Sequence, residues 1–162
     1  MAQVDYFLKL GDIKGESTDD KHKEEIELES FSWGLTQAGT SGRGSGAGAG
    51  KALPQDFHFV KKMDKSSPVL FIGCATGQHH PKAVLTVRKA GGQQQEYLKI
   101  TMEEAMVSSY QVGAASGGDT VPVDQVSLNF SKLEIAYSPQ KPDGSLGAAA
   151  TQKYDFAANK KI

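Results

Sequence analysis

Four histidines, one cysteine and the acid pair Glu103-Glu104 are the groups in this 162-residue chain that first suggest holding a metal, attacking a carbonyl or moving a proton. His79 and His80 are sequence neighbours, and adjacent residues on a strand point to opposite faces. His58 lies between Phe57 and Phe59, so it turns away from the side those rings share. None of the zinc-binding spacings occurs, and the histidines read as ordinary surface or loop residues. Cys74 sits in the apolar run 69–76 with no histidine at helical spacing, where a buried thiol behaves as a small hydrophobe. Ser66, Ser67, Ser108 and Ser109 lack the G-x-S-x-G elbow of a hydrolase nucleophile. Glu103-Glu104 is the one adjacent acid pair in an otherwise apolar stretch. A glycosidase pair stands ~5–9.5 Å apart across a cleft, whereas glutamates side by side are ordinarily a solvated surface pair. These groups do not add up to an active site. The expectation is a protein that is not an enzyme, with no catalytic, metal or cofactor-binding residues.

The segment 39–50, GTSGRGSGAGAG, invites another chemistry, a phosphate cradle. A P-loop needs G-x-x-x-x-G-K-[ST] at the start of a helix. Here Gly50-Lys51 is followed by Ala52, Ser45 occupies a position the motif needs, and an alternating run follows at 56–63. Residues 44–49 fit only the looser dinucleotide form, again with no helix after them. Links between strands usually take ~2 to 6 residues, and long ones are functional or disordered. Glycine also loses the most backbone freedom on ordering. From the residues alone two readings stand: a disordered surface loop, or an arm that orders against another subunit.

Composition narrows the classes. A net charge of −1 with a pI near 6.4 lacks the basic footprint of a nucleic-acid binder. No apolar stretch approaches the ~18 residues of a membrane helix, so no membrane insertion is expected. The opening MAQVDYFLKL carries Asp5 and no long apolar core, unlike a secretory signal. With Cys74 alone there is no internal disulfide and no cysteine metal cluster. The expectation is one domain, 1–162, folded in a reducing cytoplasm, whose exit from the cell would use no cleavable signal peptide.

Short strands must position these residues. Residues 4–10 read as a strand closed by Gly11-Asp12, and 13–23 as a polar loop. Along 25–35, Ile26 and Leu28 point inward, then Phe31, Trp33 and Leu35 do. A one-residue slip flips every side chain, so the parity change predicts a β-bulge near Glu29-Ser30. Beyond it Ser30, Ser32 and Gly34 form a small, uncharged, hydrophilic face. Residues 56–63 follow with Phe57, Phe59 and Met63 on one side. Ser67 reads as a helix N-cap with Pro68 at the first helical position, and Gly77 as a left-handed stop. The helix between them has no polar face, which predicts burial on most sides, as a plug for the open end of a barrel. Residues 83–89 and 96–102 form a hairpin across Gly91-Gly92. Residues 103–112 suit a strand better than a helix, although Met102, Met106 and Tyr110 fit either. Val126, Leu128 and Phe130, then Leu133, Ile135 and Tyr137, repeat the phase switch. Pro142-Asp143-Gly144 is a turn, and 153–157 a last strand. Many short strands with one helix imply a mainly β fold, a two-sheet β-barrel with one short α-helix and a long glycine-rich loop.

Six motifs occur in order: Lys14-Gly15-Glu16-Ser17, Ser32-Trp33-Gly34, Asp64-Lys65-Ser66-Ser67-Pro68, Arg88-Lys89-Ala90-Gly91-Gly92, Leu128-Asn129-Phe130 and Tyr137-x-Pro139-Gln140-Lys141-x-Asp143-Gly144. Together they resemble the haemolysin-coregulated protein (Hcp) family of bacterial type VI secretion over essentially the whole chain. The resemblance implies a homo-hexameric ring closed head to tail. Such rings stack into the inner tube of a contractile injection machine, and the subunit is itself secreted. Implied partners are the spike protein that caps the tube, the contractile sheath and small effector proteins in the lumen. On this likeness Gly39, Gly42, Arg43, Gly44, Gly46, Gly48 and Gly50 belong to the ring-stacking loop, and Ser30 and Ser32 face the lumen. The outward Glu25, Glu27 and Glu29 and the basic Lys61, Lys62, Arg88 and Lys89 suggest complementary surfaces. Two rival classes remain. A monomeric β-barrel binding module for a peptide or sugar would need exposed aromatics, of which only Tyr6 and Tyr97 look free. A hydrolase would need a pocket and a perturbed Glu103 or Glu104.

Overall fold

Alternation of apolar and polar side chains sets the strands, and the computed structural model, which describes residues 4–37, 51–90, 93–118 and 120–162, bears this out along most of the chain. In chain order the elements are β1 (Val4–Leu10), β2 (Ile26–Leu28), β3 (Ser30–Ser32), β4 (Leu35–Gln37), β5 (Ala52–Pro54), β6 (Phe57–Lys62), α1 (Ser67–Thr76), β7 (His79–Lys89), β8 (Glu96–Gly113), β9 (Val123–Asn129), β10 (Lys132–Tyr137), β11 (Ala150–Asp155) and β12 (Lys160–Lys161).

Ten strands share one branched antiparallel sheet, and β4 and β5 form a separate two-stranded one. The branch point is β8. Its upstream half pairs with β10 through Leu98–Tyr137 to Glu103–Lys132, and its downstream half pairs with β9 from Met106–Asn129 to Gly113–Val123. Glu104 sits between the two halves with φ +54, a conformation that costs a non-glycine residue energy and that bends the strand out of one ladder into the other. Residues 103–112 are therefore strand.

The predicted parity switch lies where expected. β2 pairs with β1, β3 pairs with β6, and Glu29 between them belongs to neither ladder, its N–H donating to Val60 O at 2.8 Å. That interruption also corrects the expected architecture. The strands form two sheets, but they do not close into a barrel, because the ladder breaks where β2 and β3 change partners.

Leu8, Leu10, Ile26, Phe57, Phe59, Leu85, Met102, Val126 and Leu128 are fully buried in one cluster. Each such side chain contributes ~1.5–3 kcal/mol on burial. Other inward assignments fail at the margins. Leu35, Met63 and Tyr137 are exposed because their strands end or leave the core there. Tyr6 and Tyr97 are half-buried, packed edge-on against Phe31 and Tyr137.

The helix departs most from expectation. Ser66, not Ser67, is its N-cap, and Gly77 ends it at φ +70 with its N–H on Gly73 O. It does not plug a barrel. Only Ser67, Leu70 and Gly73 are buried, while Val69, Phe71 and Ile72 are 40%, 57% and 50% exposed. A uniformly apolar helix predicts burial, but α1 packs one side on β8 and leaves the other uncovered.

Candidate assembly surfaces

Ser30 and Ser32 belong to a wider patch that the ladders assemble. Residues paired across a ladder share a face. Ser30 pairs with Val60, which pairs with Gln125, which pairs with Gln111. Ser32 pairs with His58, then Ser127, then Ser109. The face that β3, β6, β9 and β8 turn away from the core is thus small, hydrophilic and almost free of charge. His58 Nδ1 lies 3.1 Å from Ser127 Oγ across this wall. The serine parity foretold the first column; the glutamines and Ser109 needed the register.

The seven residues assigned to the stacking loop lie outside the described residues. What is described is its base. β4 and β5 pair Leu35 with Pro54, Thr36 with Leu53 and Gln37 with Ala52. Gln55 N–H donates to Gly34 O at 2.9 Å. A Cβ at Gly34 would stand 2.8 Å from the Gln55 amide oxygen, so a larger residue there would have to displace that side chain. Leu35 and Leu53 point into solvent at 51% and 54% exposure.

Two basic residues expected on complementary surfaces are interior. Lys61 is fully buried. Its Nζ lies 2.9 Å from Asp64 Oδ1, 3.0 Å from Asp124 Oδ2, 3.0 Å from Ser67 Oγ and 3.1 Å from Lys62 O. Ser67 also donates to Asp124 Oδ2, and Tyr110 donates to Asp124 Oδ1 at 2.9 Å. Burial and the adjacent carboxylate push the Tyr110 phenol up to about 12. The reason Ser67 is not a free N-cap is this engagement.

Arg88 is likewise buried, donating to Asp19 Oδ2 at 2.6 Å and Asp5 Oδ2 at 2.9 Å, with its guanidinium 4.8 Å over the Phe7 ring. The pair with Arg88 lowers Asp19 to about 2. His22 also stacks on Phe7 at 4.4 Å, with Nδ1 3.1 Å from Glu25 and Nε2 2.6 Å from Glu96. These contacts tie the 13–23 loop to β1, β7 and β8.

The catalytic alternatives find little support. Lys153 at 3.1 Å from Glu103 lowers its carboxyl, the opposite of what a general acid needs. Glu104 accepts from Ser131 Oγ at 2.7 Å. His79 and His80 begin β7 and do not lie in a loop. His79 is exposed, whereas His80 is buried, corrected from a surface residue, and desolvation lowers its pKa. Cys74 is half-buried. Among the described residues no group of three or more His, Cys, Asp or Glu is placed to hold a metal. No described helix is long and apolar enough to cross a membrane.

A family model described as "Type VI secretion system effector, Hcp" matches residues 7–137. The protein named hcp1 of Pseudomonas aeruginosa is 49% identical over 143 residues, covering 88% of each chain. The crystal structure of Hcp1 from Salmonella typhimurium superposes with a TM-score of 0.84 at 38% identity, over 99% of this chain and 100% of that one. A structure described as a type six secretion system protein superposes with a TM-score of 0.91 at 31% identity, over 98% and 99%.

Proposed function

This chain belongs to the Hcp family and is a type VI secretion tube and effector protein, and on that premise we propose that six copies close head to tail into a ring with the β3–β6–β9–β8 wall turned to the lumen. The observation that carries the orientation is the chemistry of the wall. Ser30, Ser32, Ser109, Gln111, Gln125 and Ser127 offer weak hydrogen bonds and no deep pocket, which suits cargo that must be held briefly and released. The paired base of β4 and β5 projects the 39–50 arm as a docking element for the next ring, with Gly39, Gly42, Arg43, Gly44, Gly46, Gly48 and Gly50 as its contacts. Stacked rings then form the tube, with spike, sheath and small effectors as partners, and the subunit leaves the cell with its cargo. Its work is mechanical and uses no catalytic residue. Lateral closure covers the open strand edges and completes the barrel-like wall that the single chain leaves unclosed.

Light scattering with negative-stain imaging tests the ring. Six-fold annular particles are expected from the purified chain, and a stable monomer at high concentration would overturn this reading. The lumen assignment has its own test. Ser32→Gln places a longer side chain on the wall, so effector retention and export should change while ring formation does not. Unchanged export would return Ser32 to the outside of the ring.

A further inference from the structure

Among the described residues two apolar surfaces stand without a covering partner, one convex and one concave, with no residue in common. The convex one is α1. Val69, Phe71 and Ile72 are exposed along it, Phe71 packs on Tyr110 at 6.4 Å, and Val112 further along β8 is 47% exposed. The helix sequence SPVLFIGCAT carries no charged side chain. With Val121 and Met63, also exposed, these side chains present roughly 400–500 Å² of apolar surface, the size at which a patch usually marks an interaction site.

The concave surface is a groove lined by Trp33, Leu35, Leu133, Ile135, Tyr154 and Phe156. Trp33 Nε1 is buried there with no hydrogen-bond partner among the described residues, and an indole N–H can only donate. Lys153 and Lys161 form the rim.

We propose that the exposed face and C-terminal end of α1 in one copy of this chain seat in the Trp33–Phe156 groove of the next copy. This rests on the ring reading and names the lateral contact within it. Charge favours the match. The end of α1 carries the negative pole of the helix dipole and has no basic residue of its own in the last turn. Lys161 on the rim supplies that complement, with Lys153 beside it already shared with Glu103. Gly73 O is taken by the cap and Ile72 O by Thr76 Oγ1 at 2.8 Å, but the carbonyls of Cys74, Ala75 and Thr76 have no intrahelical partner. In the proposed seating they are the acceptors that the rim ammonium groups meet. Area favours it as well. A stable interface buries ~800 Å² per partner, and the α1 patch supplies about half, with the groove rim and strand edges beside it for the remainder. Because knob and groove are different patches, the contact is heterologous and propagates head to tail, closing when the rotation allows.

Cysteine pairing in full-length protein tests it. In a Cys74→Ser background, chains carrying Phe71→Cys are mixed with chains carrying Gln152→Cys on the groove wall and treated with a short bis-maleimide. Covalent dimers are expected only in the mixture, and a chain carrying both cysteines should give a ladder ending in a closed ring. Phe71→Asp, at an exposed position that leaves folding intact, should raise the concentration needed for rings by about tenfold or more. Wild-type rings with no mixed cross-link, or Phe71→Asp rings at the wild-type concentration, overturn the contact and leave the ring reading standing. Mixed cross-links without annular particles support the contact and overturn the ring reading.

Discussion

Lys61 and Arg88 are both buried cations held by two aspartates, yet their surroundings differ in kind. Lys61 and Asp124 are both inaccessible to solvent, and four acceptors surround three N–H groups. Arg88 is 2% exposed, but its partners Asp5 and Asp19 are 32% and 18% exposed, and its Nε has no partner among the described residues. One cluster is a sealed interior network at the start of α1. The other is a rim latch that water can reach on the carboxylate side. The difference teaches where each is vulnerable: the first to loss of a partner, the second to solvent conditions.

Removing Lys61 should have the largest effect. Lys61→Met leaves Asp64 and Asp124 without their cation and should cost about 3–5 kcal/mol in urea unfolding. Adding Asp124→Asn to that variant should restore a large part of the loss, and no restoration would show that the hydroxyls, not the charge pair, hold the site. Arg88→Met should cost less, about 1.5–3 kcal/mol, because water solvates the abandoned carboxylates. An equal loss from both variants would erase the distinction between them.

Acid should separate the clusters next. Asp19 is lowered from 3.8 to about 2 in the fold, so the stabilisation from its pair with Arg88 is complete above the unfolded value and lost as pH falls through the folded one. The stability gap between wild type and Asp19→Asn should therefore narrow between 3.8 and about 2, as read by denaturation across that range. A gap constant to the lower limit would place the latch elsewhere. Tyr110→Phe should have the smallest effect, about 1 kcal/mol, since Asp124 keeps Lys61 and Ser67.

Much of this was legible in residue parity. Ile26 and Leu28 against Phe31 placed the switch at Glu29, and Val126 and Leu128 followed by Leu133 placed the second one before β10. Lys61 shared the parity of Phe57 and Phe59 and so announced its own burial. The general exposure of lysine argued the other way, and only a charged partner from β9, Asp124, decides between them. Arg88 gave no such sign, because the face it occupies is buried by the loop that carries Asp19. Helix α1 was located correctly, but its setting was misjudged for a related reason. An apolar helix predicts a buried helix, whereas α1 leaves Val69, Phe71 and Ile72 uncovered in the single chain. The polar wall was half visible: alternation exposed Ser30 and Ser32, while its remaining columns depend on pairings between segments far apart in the chain.

The bend at Glu104 has a mechanical reading. One continuous backbone belongs to both branches of the large sheet, so neither branch can slide along the other as two stacked layers might. A displacement of one branch is therefore passed to the other through the covalent bonds along β8.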